Sequence, residues 1–148
     1  MLDVALLGCG RWGMNHLHVL SKLRGLGVIN SITVVDPSAE ARSAAILADD
    51  VASSIDEVDC DVVIIASPSH LHAEQAREAM GNGCHVFVEK PLGCCEAEAA
   101  QVLATAVEYG RVISIGLLLR FHPAVKLVKK MLRAGEIGRL EEIRFSRE

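Results

Sequence analysis

Short, mainly apolar runs alternate, almost from one end of this chain to the other, with longer stretches of helical periodicity. Val4–Leu7, Ile32–Val35, Val62–Ala66, Val86–Val88 and Val112–Ile115 are runs of the first kind and predict strands, with a further short one near Val51. The unbroken apolar character of Val62–Ala66 suits a strand covered on both faces. Helices are expected over Trp12–Leu23, Ser38–Leu47, Leu71–Asn82 and Glu96–Tyr109, the last two stopped by Gly83 and Gly110. The βα rhythm predicts an α/β protein: a doubly wound parallel sheet with helices on both faces, joined by right-handed crossovers.

From Arg120 the rhythm changes. A helix is expected over Pro123–Ala134, with proline in its first turn and Gly135 after its end. Leu140–Phe145 then reads as the first strand of something new. The chain therefore divides into residues 1–120 and residues 121–148.

Composition narrows the partners. At 148 residues, 51% apolar and 3% aromatic, the chain suits a helix-covered parallel sheet better than an aromatic-rich sandwich. A net charge of −4 disfavours a general nucleic-acid or membrane surface. The opening MLDVALLGCG lacks the basic and long apolar regions of a signal peptide, and no apolar run reaches the roughly 18–20 residues of a membrane span. A cytoplasmic location is expected. The five cysteines form no CxxC pair and are read as reduced thiols. His70 and His72 lack further ligands nearby, and His16 and His18 do not share a helix face, so no metal site is expected.

LLGCGRWGMNH places Gly8, Gly10 and Gly13 in GxGxxG spacing between the first strand and the first helix. The three glycines answer different needs, namely the tight turn, approach of a pyrophosphate to the backbone, and close packing of helix on sheet. The helix N-terminus then attracts the anion. An acid, Asp36, ends the second strand somewhat more than 20 residues beyond the glycines, where a carboxylate accepts the hydroxyls of an adenosine ribose and repels a 2′-phosphate. Asp36-Pro37 alone would equally open a turn and cap a helix; together with the glycine turn it points to a dinucleotide. The nearest following cation, Arg42, is six residues away, so NAD is expected rather than NADP.

Parallel sheets bind ligands at the carboxyl ends of their strands, which puts Ser67, Pro68 and His72 of ASPSHLH on the cofactor side. The same rule places Glu89-Lys90-Pro91, which ends HVFVEKP, at the rim of a nicotinamide pocket. A lysine there can hydrogen-bond a hydroxyl, and partial desolvation lowers its pKa. From position alone Lys90 is equally a solvated strand end.

GCGRWGMNH, VVDPS, ASPSHLH, GCHVFVEKPLG and GLLLRFHPAVK occur in the order and spacing of the Gfo/Idh/MocA oxidoreductases, which the chain resembles over essentially its whole length. The resemblance implies a Rossmann-type fold and oxidation or reduction of sugars, inositols or sugar nucleotides with NAD(P). It implies that Lys90 binds the substrate hydroxyl and the nicotinamide ribose, and that Glu89 shapes the ribose pocket. Arg11 and Trp12 would line the pyrophosphate and nicotinamide side, although Trp12 also fits simple packing. Arg120 and His122 of RFHP would cross toward the substrate.

Members of that family continue into a second domain built on an open antiparallel sheet, which supplies most of the substrate pocket and a catalytic base. Nothing in these residues matches that base. The expectation is therefore an NAD-binding domain inactive by itself, and an unpaired Leu140–Phe145 strand could support a homodimer. A non-catalytic NAD-binding sensor or partner subunit is the alternative.

Overall fold

The computed structural model describes residues 1–144 and 146. Contacts divide it into two compact units, Met1–Gly116 and Leu117–Glu148.

The first unit holds six strands and four helices. They run β1 (Leu2–Leu7), α1 (Arg11–Gly25), β2 (Ile29–Val35), α2 (Ala39–Ala44), β3 (Asp50–Ala52), β4 (Val62–Ile65), α3 (His72–Gly81), β5 (His85–Val88), α4 (Glu96–Glu108) and β6 (Ile113–Ile115). All the strands are parallel, in the order β3-β2-β1-β4-β5-β6. The strand order reverses direction beside β1, between β2 and β4, as it does in doubly wound folds.

Strand alternation sends neighbouring side chains to opposite faces, and two cores follow. Val4 and Leu6 of β1 join Ile32 and Val34 of β2 beneath Leu17 and Leu20 of α1. Ala5 and Leu7 turn the other way and join Val63, Ile65, Val86 and Val88 under α3 and α4. Ala73, Ala76 and Ala79 recur every third residue on α3, so this helix offers a smooth face to the sheet. With both faces covered, the apolar runs that marked the strands are accounted for.

The helix expected over Ser38–Leu47 is shorter. Ser38 becomes its N-cap, its hydroxyl accepting from the Ala41 N–H, and the helix stops at Ala44. The chain must leave it there because Asp49 is tied elsewhere. Its carboxylate accepts from the Ile32 N–H at 2.9 Å and pairs with Arg24 of α1.

Two thiols meet near the amino ends of β4 and β5, away from the ligand edge. Cys84 Sγ lies 3.7 Å from Cys60 Sγ and donates to the Cys60 carbonyl at 3.1 Å. Burial, and then the neighbouring Cys84, push the Cys60 pKa up to about 12. Reaction with alkylating reagents needs the thiolate. At pH 8, Cys94 and Cys95, both exposed, should therefore alkylate at least about a hundredfold faster than Cys60. Timed labelling with iodoacetamide and mass spectrometry checks this; comparable rates would refute the buried-thiol picture.

The second unit contains a 3-10 turn (Leu118–Phe121) and α5 (Pro123–Arg133). Pro123 opens α5, and His122 caps it through Nδ1, which accepts from the Ala124 N–H at 3.2 Å. Residues 140–144, expected to be part of a strand, have no regular secondary structure. A strand exists through its ladder to a neighbour, and no strand of the sheet pairs with them. Phe145, the last residue of that expected strand, lies outside the described residues. No helix among the described residues is long and apolar enough to cross a membrane.

Candidate dinucleotide site

All six strands reach a common level at their carboxyl ends, Ala52 of β3 being in register with Val35. Leu7 is in register with Val35 and Ile65, Ile65 with Val88, and Val88 with Ile115. The ladder then runs one residue further. The N–H of Gly8 donates to Val35, that of Ala66 to Leu7, that of Glu89 to Ile65 and that of Gly116 to Val88. Gly8, Asp36, Ala66, Glu89 and Gly116 therefore stand side by side in one row, although the sequence scatters them from position 8 to position 116.

The glycine turn stands in that row between Asp36 and Ala66. Gly8 has φ +88°, and a Cβ on it would lie 2.7 Å from the Ser67 nitrogen. A Cβ on Gly13 would lie 1.9 Å from the Gly8 carbonyl oxygen, so only glycine lets α1 start this close to the turn. Gly10 is the N-cap of α1, and no side chain caps the first turn. Its N–H groups and the helix dipole are thus available to an anion.

Asp36 is fixed from both sides. Its Oδ2 accepts from the Cys9 N–H at 2.8 Å and its Oδ1 from the Ser38 N–H at 2.9 Å. Burial, and then the Asp36 carboxylate, push the Cys9 pKa up. Arg42 stands closer to Asp36 than sequence distance suggests. The turn into α2 folds it back, and its Nη1 donates to the carbonyls of Asp36 and Pro37 at 2.6 and 3.0 Å.

A groove of about 660 Å³ runs along this edge, lined by Gly8, Gly10, Asp36, Ser67 and Pro68 together with Ser53, Ser54, Ile55, Gln75 and Glu78. The last five were not singled out from sequence. The carboxyl end of β3, read by the same edge rule, would have pointed to Ser53 and Ser54. SSIDE also carries a visible capping-box spacing, and here Ser54 and Glu57 do satisfy each other. Gln75, on α3, enters by accepting from the Ser67 hydroxyl, eight residues earlier, at 2.5 Å.

His72, expected on the cofactor side, lies under the groove rather than in it. It is 2% exposed, with Nδ1 at 2.7 Å from the Pro91 carbonyl and Nε2 at 2.9 Å from the Ser67 carbonyl. The ring ties the loop after β4 to the loop after β5. Glu89 also turns inward: it is 5% exposed, and its Oε1 lies 2.9 Å from His16 Nε2. Lys90, joined to Pro91 by a cis peptide, is exposed two residues past the end of β5, and Arg11 and Trp12 are exposed on the first turn of α1; none of the three lines the groove. Arg120 and His122 belong to the second unit. No group of three or more His, Cys, Asp or Glu side chains able to hold a metal occurs among the described residues.

The cradle fits the dinucleotide foreseen from the sequence. Backbone approaches the groove without intervening side chains, an uncapped helix end is open to an anion, and a fixed carboxylate stands at the end of β2. Together with the strand order, these features define a Rossmann-type dinucleotide-binding domain. Residues 2–117 match the model of the Gfo/Idh/MocA oxidoreductases, described as an oxidoreductase family with an NAD-binding Rossmann fold, and the chain belongs to that family.

Among curated relatives, 4-carboxy-2-hydroxymuconate-6-semialdehyde dehydrogenase of Sphingobium sp. is 33% identical over 146 residues, covering 93% of this chain and 45% of the relative. The NAD(+) scyllo-inositol 2-dehydrogenase of Bacillus subtilis is 32% identical, covering 91% of this chain and 41% of its own length. Among solved structures, the WlbA dehydrogenase of Bordetella pertussis, in complex with NADH and UDP-GlcNAcA, superimposes with a TM-score of 0.83. It is 28% identical, and the match covers 92% of this chain and 42% of that one. The chain thus spans less than half the length of the curated relatives named here.

Proposed function

We propose that this chain provides the NAD-binding half of an oxidoreductase that moves a hydride between a hydroxyl carbon of a sugar, inositol or sugar nucleotide and the nicotinamide. The observation that carries the reading is the common row at the sheet edge, where the glycine turn, Asp36 and the Glu89-Lys90-Pro91 segment stand together. The substrate class is supported by the inositol and sugar-nucleotide dehydrogenases among the relatives and neighbours.

When bound, the dinucleotide supplies the hydride acceptor or donor. The protein holds and orients it. The first-turn N–H groups of α1 face the pyrophosphate, and Asp36 accepts from the adenosine ribose. Lys90, exposed just past β5, hydrogen-bonds the reacting hydroxyl and takes part in handling its proton. NAD is favoured over NADP because the Asp36 carboxylate repels a 2′-phosphate while Arg42 is engaged with backbone carbonyls. Walls that orient the substrate are not found among these residues. On their own the 148 residues should bind NAD and support little or no turnover, and a reducing cytoplasmic setting suits their five free thiols.

Calorimetric titration with NAD⁺ and NADP⁺ tests the reading. NAD⁺ should bind more tightly, and Asp36→Ala should weaken it about tenfold or more while changing NADP⁺ binding less. Absence of binding to either dinucleotide, or an Asp36→Ala variant indistinguishable from the parent chain, would sink it.

A further inference from the structure

The first helix delivers one side chain to the far end of the site that glycine-turn reasoning does not require. His16 lies on α1, yet its Nε2 sits 2.9 Å from Oε1 of Glu89, 73 residues away. Its ring packs edge-on against Phe87, with centroids 5.5 Å apart and an interplanar angle of 66°. Glu89 is closely confined on the side of β6 as well. A Cβ on Gly116 would stand 3.0 Å from Cδ and from both carboxylate oxygens, so glycine at the end of β6 makes the space the carboxylate fills. The second oxygen, Oε2, accepts from the backbone N–H of Lys90 at 3.3 Å.

We propose that His16 is a positioning residue: through the Glu89 carboxylate it fixes the backbone of Lys90 and so sets where the lysine side chain leaves the sheet. The proposal rests on the reading of Lys90 given above, and it assigns Glu89 the role of a strut rather than a ligand contact. The physical reason is the asymmetry of buried charge. A carboxylate removed from water is held only while its oxygens are satisfied. Here one oxygen is satisfied by α1 and the other by the residue whose placement matters. Losing the α1 partner frees the carboxylate to turn toward water, and the bond to Lys90 goes with it. The two ends of the dinucleotide site are thereby coupled. The helix that starts at the phosphate-binding turn also sets the nicotinamide rim.

The test compares variants of this chain. His16→Gln keeps an N–H donor at a similar reach, whereas His16→Phe keeps a ring against Phe87 and has no donor. Because His16→Phe leaves a buried carboxylate unpaired and could lower stability for that reason alone, the double variant His16→Phe/Glu89→Met removes both partners. Two readouts are used: the ¹⁵N–¹H resonance of the Lys90 amide without ligand, and the affinity for NADH.

The double variant should melt close to the parent chain while its Lys90 amide signal stays displaced and NADH binds roughly tenfold more weakly. His16→Gln should restore both readouts toward parental values. A double variant with parental Lys90 resonance and NADH affinity would overturn the proposal, as would a His16→Gln variant no better than His16→Phe. If the parent chain fails to bind NADH, the dinucleotide reading falls, and the Lys90 resonance still decides whether His16 sets this backbone.

Discussion

A Gly13→Ala substitution should lower the stability of the first unit by about 3 kcal/mol or more and weaken NAD binding more than about a hundredfold. The added methyl would meet the Gly8 carbonyl oxygen at 1.9 Å and the Gly8 carbonyl carbon at 2.9 Å. Both belong to backbone held in place by the ladder, since the Gly8 N–H is bonded to Val35. No side-chain rotation can relieve the contact, so α1 has to move away from the sheet. Leu17 and Leu20, buried beneath it, would move too. Gly10→Ala is the matched control. A Cβ there meets nothing within 4 Å, so folding should be unaffected while the new methyl obstructs the approach of the pyrophosphate. Urea denaturation and NADH titration of the two variants separate the effects. Equal stability of Gly13→Ala and the parent would show that α1 does not need its close start.

The second large effect is expected at His72. Its ring is almost fully buried and its nitrogens face the carbonyls of Ser67 and Pro91. Replacement by alanine removes the ring volume and its donor together. A loss of about 3 kcal/mol follows from the cavity and from the unsatisfied carbonyls. The loops after β4 and β5 would then be untied, and NADH affinity should fall as well. His72→Asn recovers at most part of this, because a short amide cannot span both carbonyls. If His72→Ala unfolds within about 0.5 kcal/mol of the parent, the ring is not the tie described here.

Much of this architecture was legible in the order of the residues. Doubly covered strands are nearly continuous apolar runs, so β1, β2, β4 and β5 stood out, and the residues after them pointed to the ligand edge. Gly8, Asp36 and Lys90 were singled out because each lies just past the end of a strand. What was not legible depends on partners distant in sequence. Nothing in ASPSHLH tells whether His72 faces a groove or the underside of two loops; that depends on the Pro91 carbonyl. His16 looked like one of two histidines on a helix until β5 brought Glu89 opposite it. The end of α2 was overrun because Asp49's obligations to Ile32 and Arg24 are invisible to periodicity. Leu140–Phe145 has the composition of a strand, but for residues 140–144 composition cannot provide the neighbour that a ladder needs.

The levelled edge of the sheet has a consequence for how this domain can change. The residues of that row sit one place past the strands, not at the tips of long loops, so strand length itself sets their height. Adding or removing a single residue inside β1, β4 or β5 would move the following residue by about 3.3 Å and turn it to the other face. Gly8 would then lose its bond to Val35, and Glu89 would turn away from His16. Insertions should be tolerated at the opposite, amino-terminal edge and excluded from the strands. Variation in this domain is thus channelled into substitution at fixed heights, and a collection of functional variants with single-residue insertions scattered through the strands would contradict that constraint.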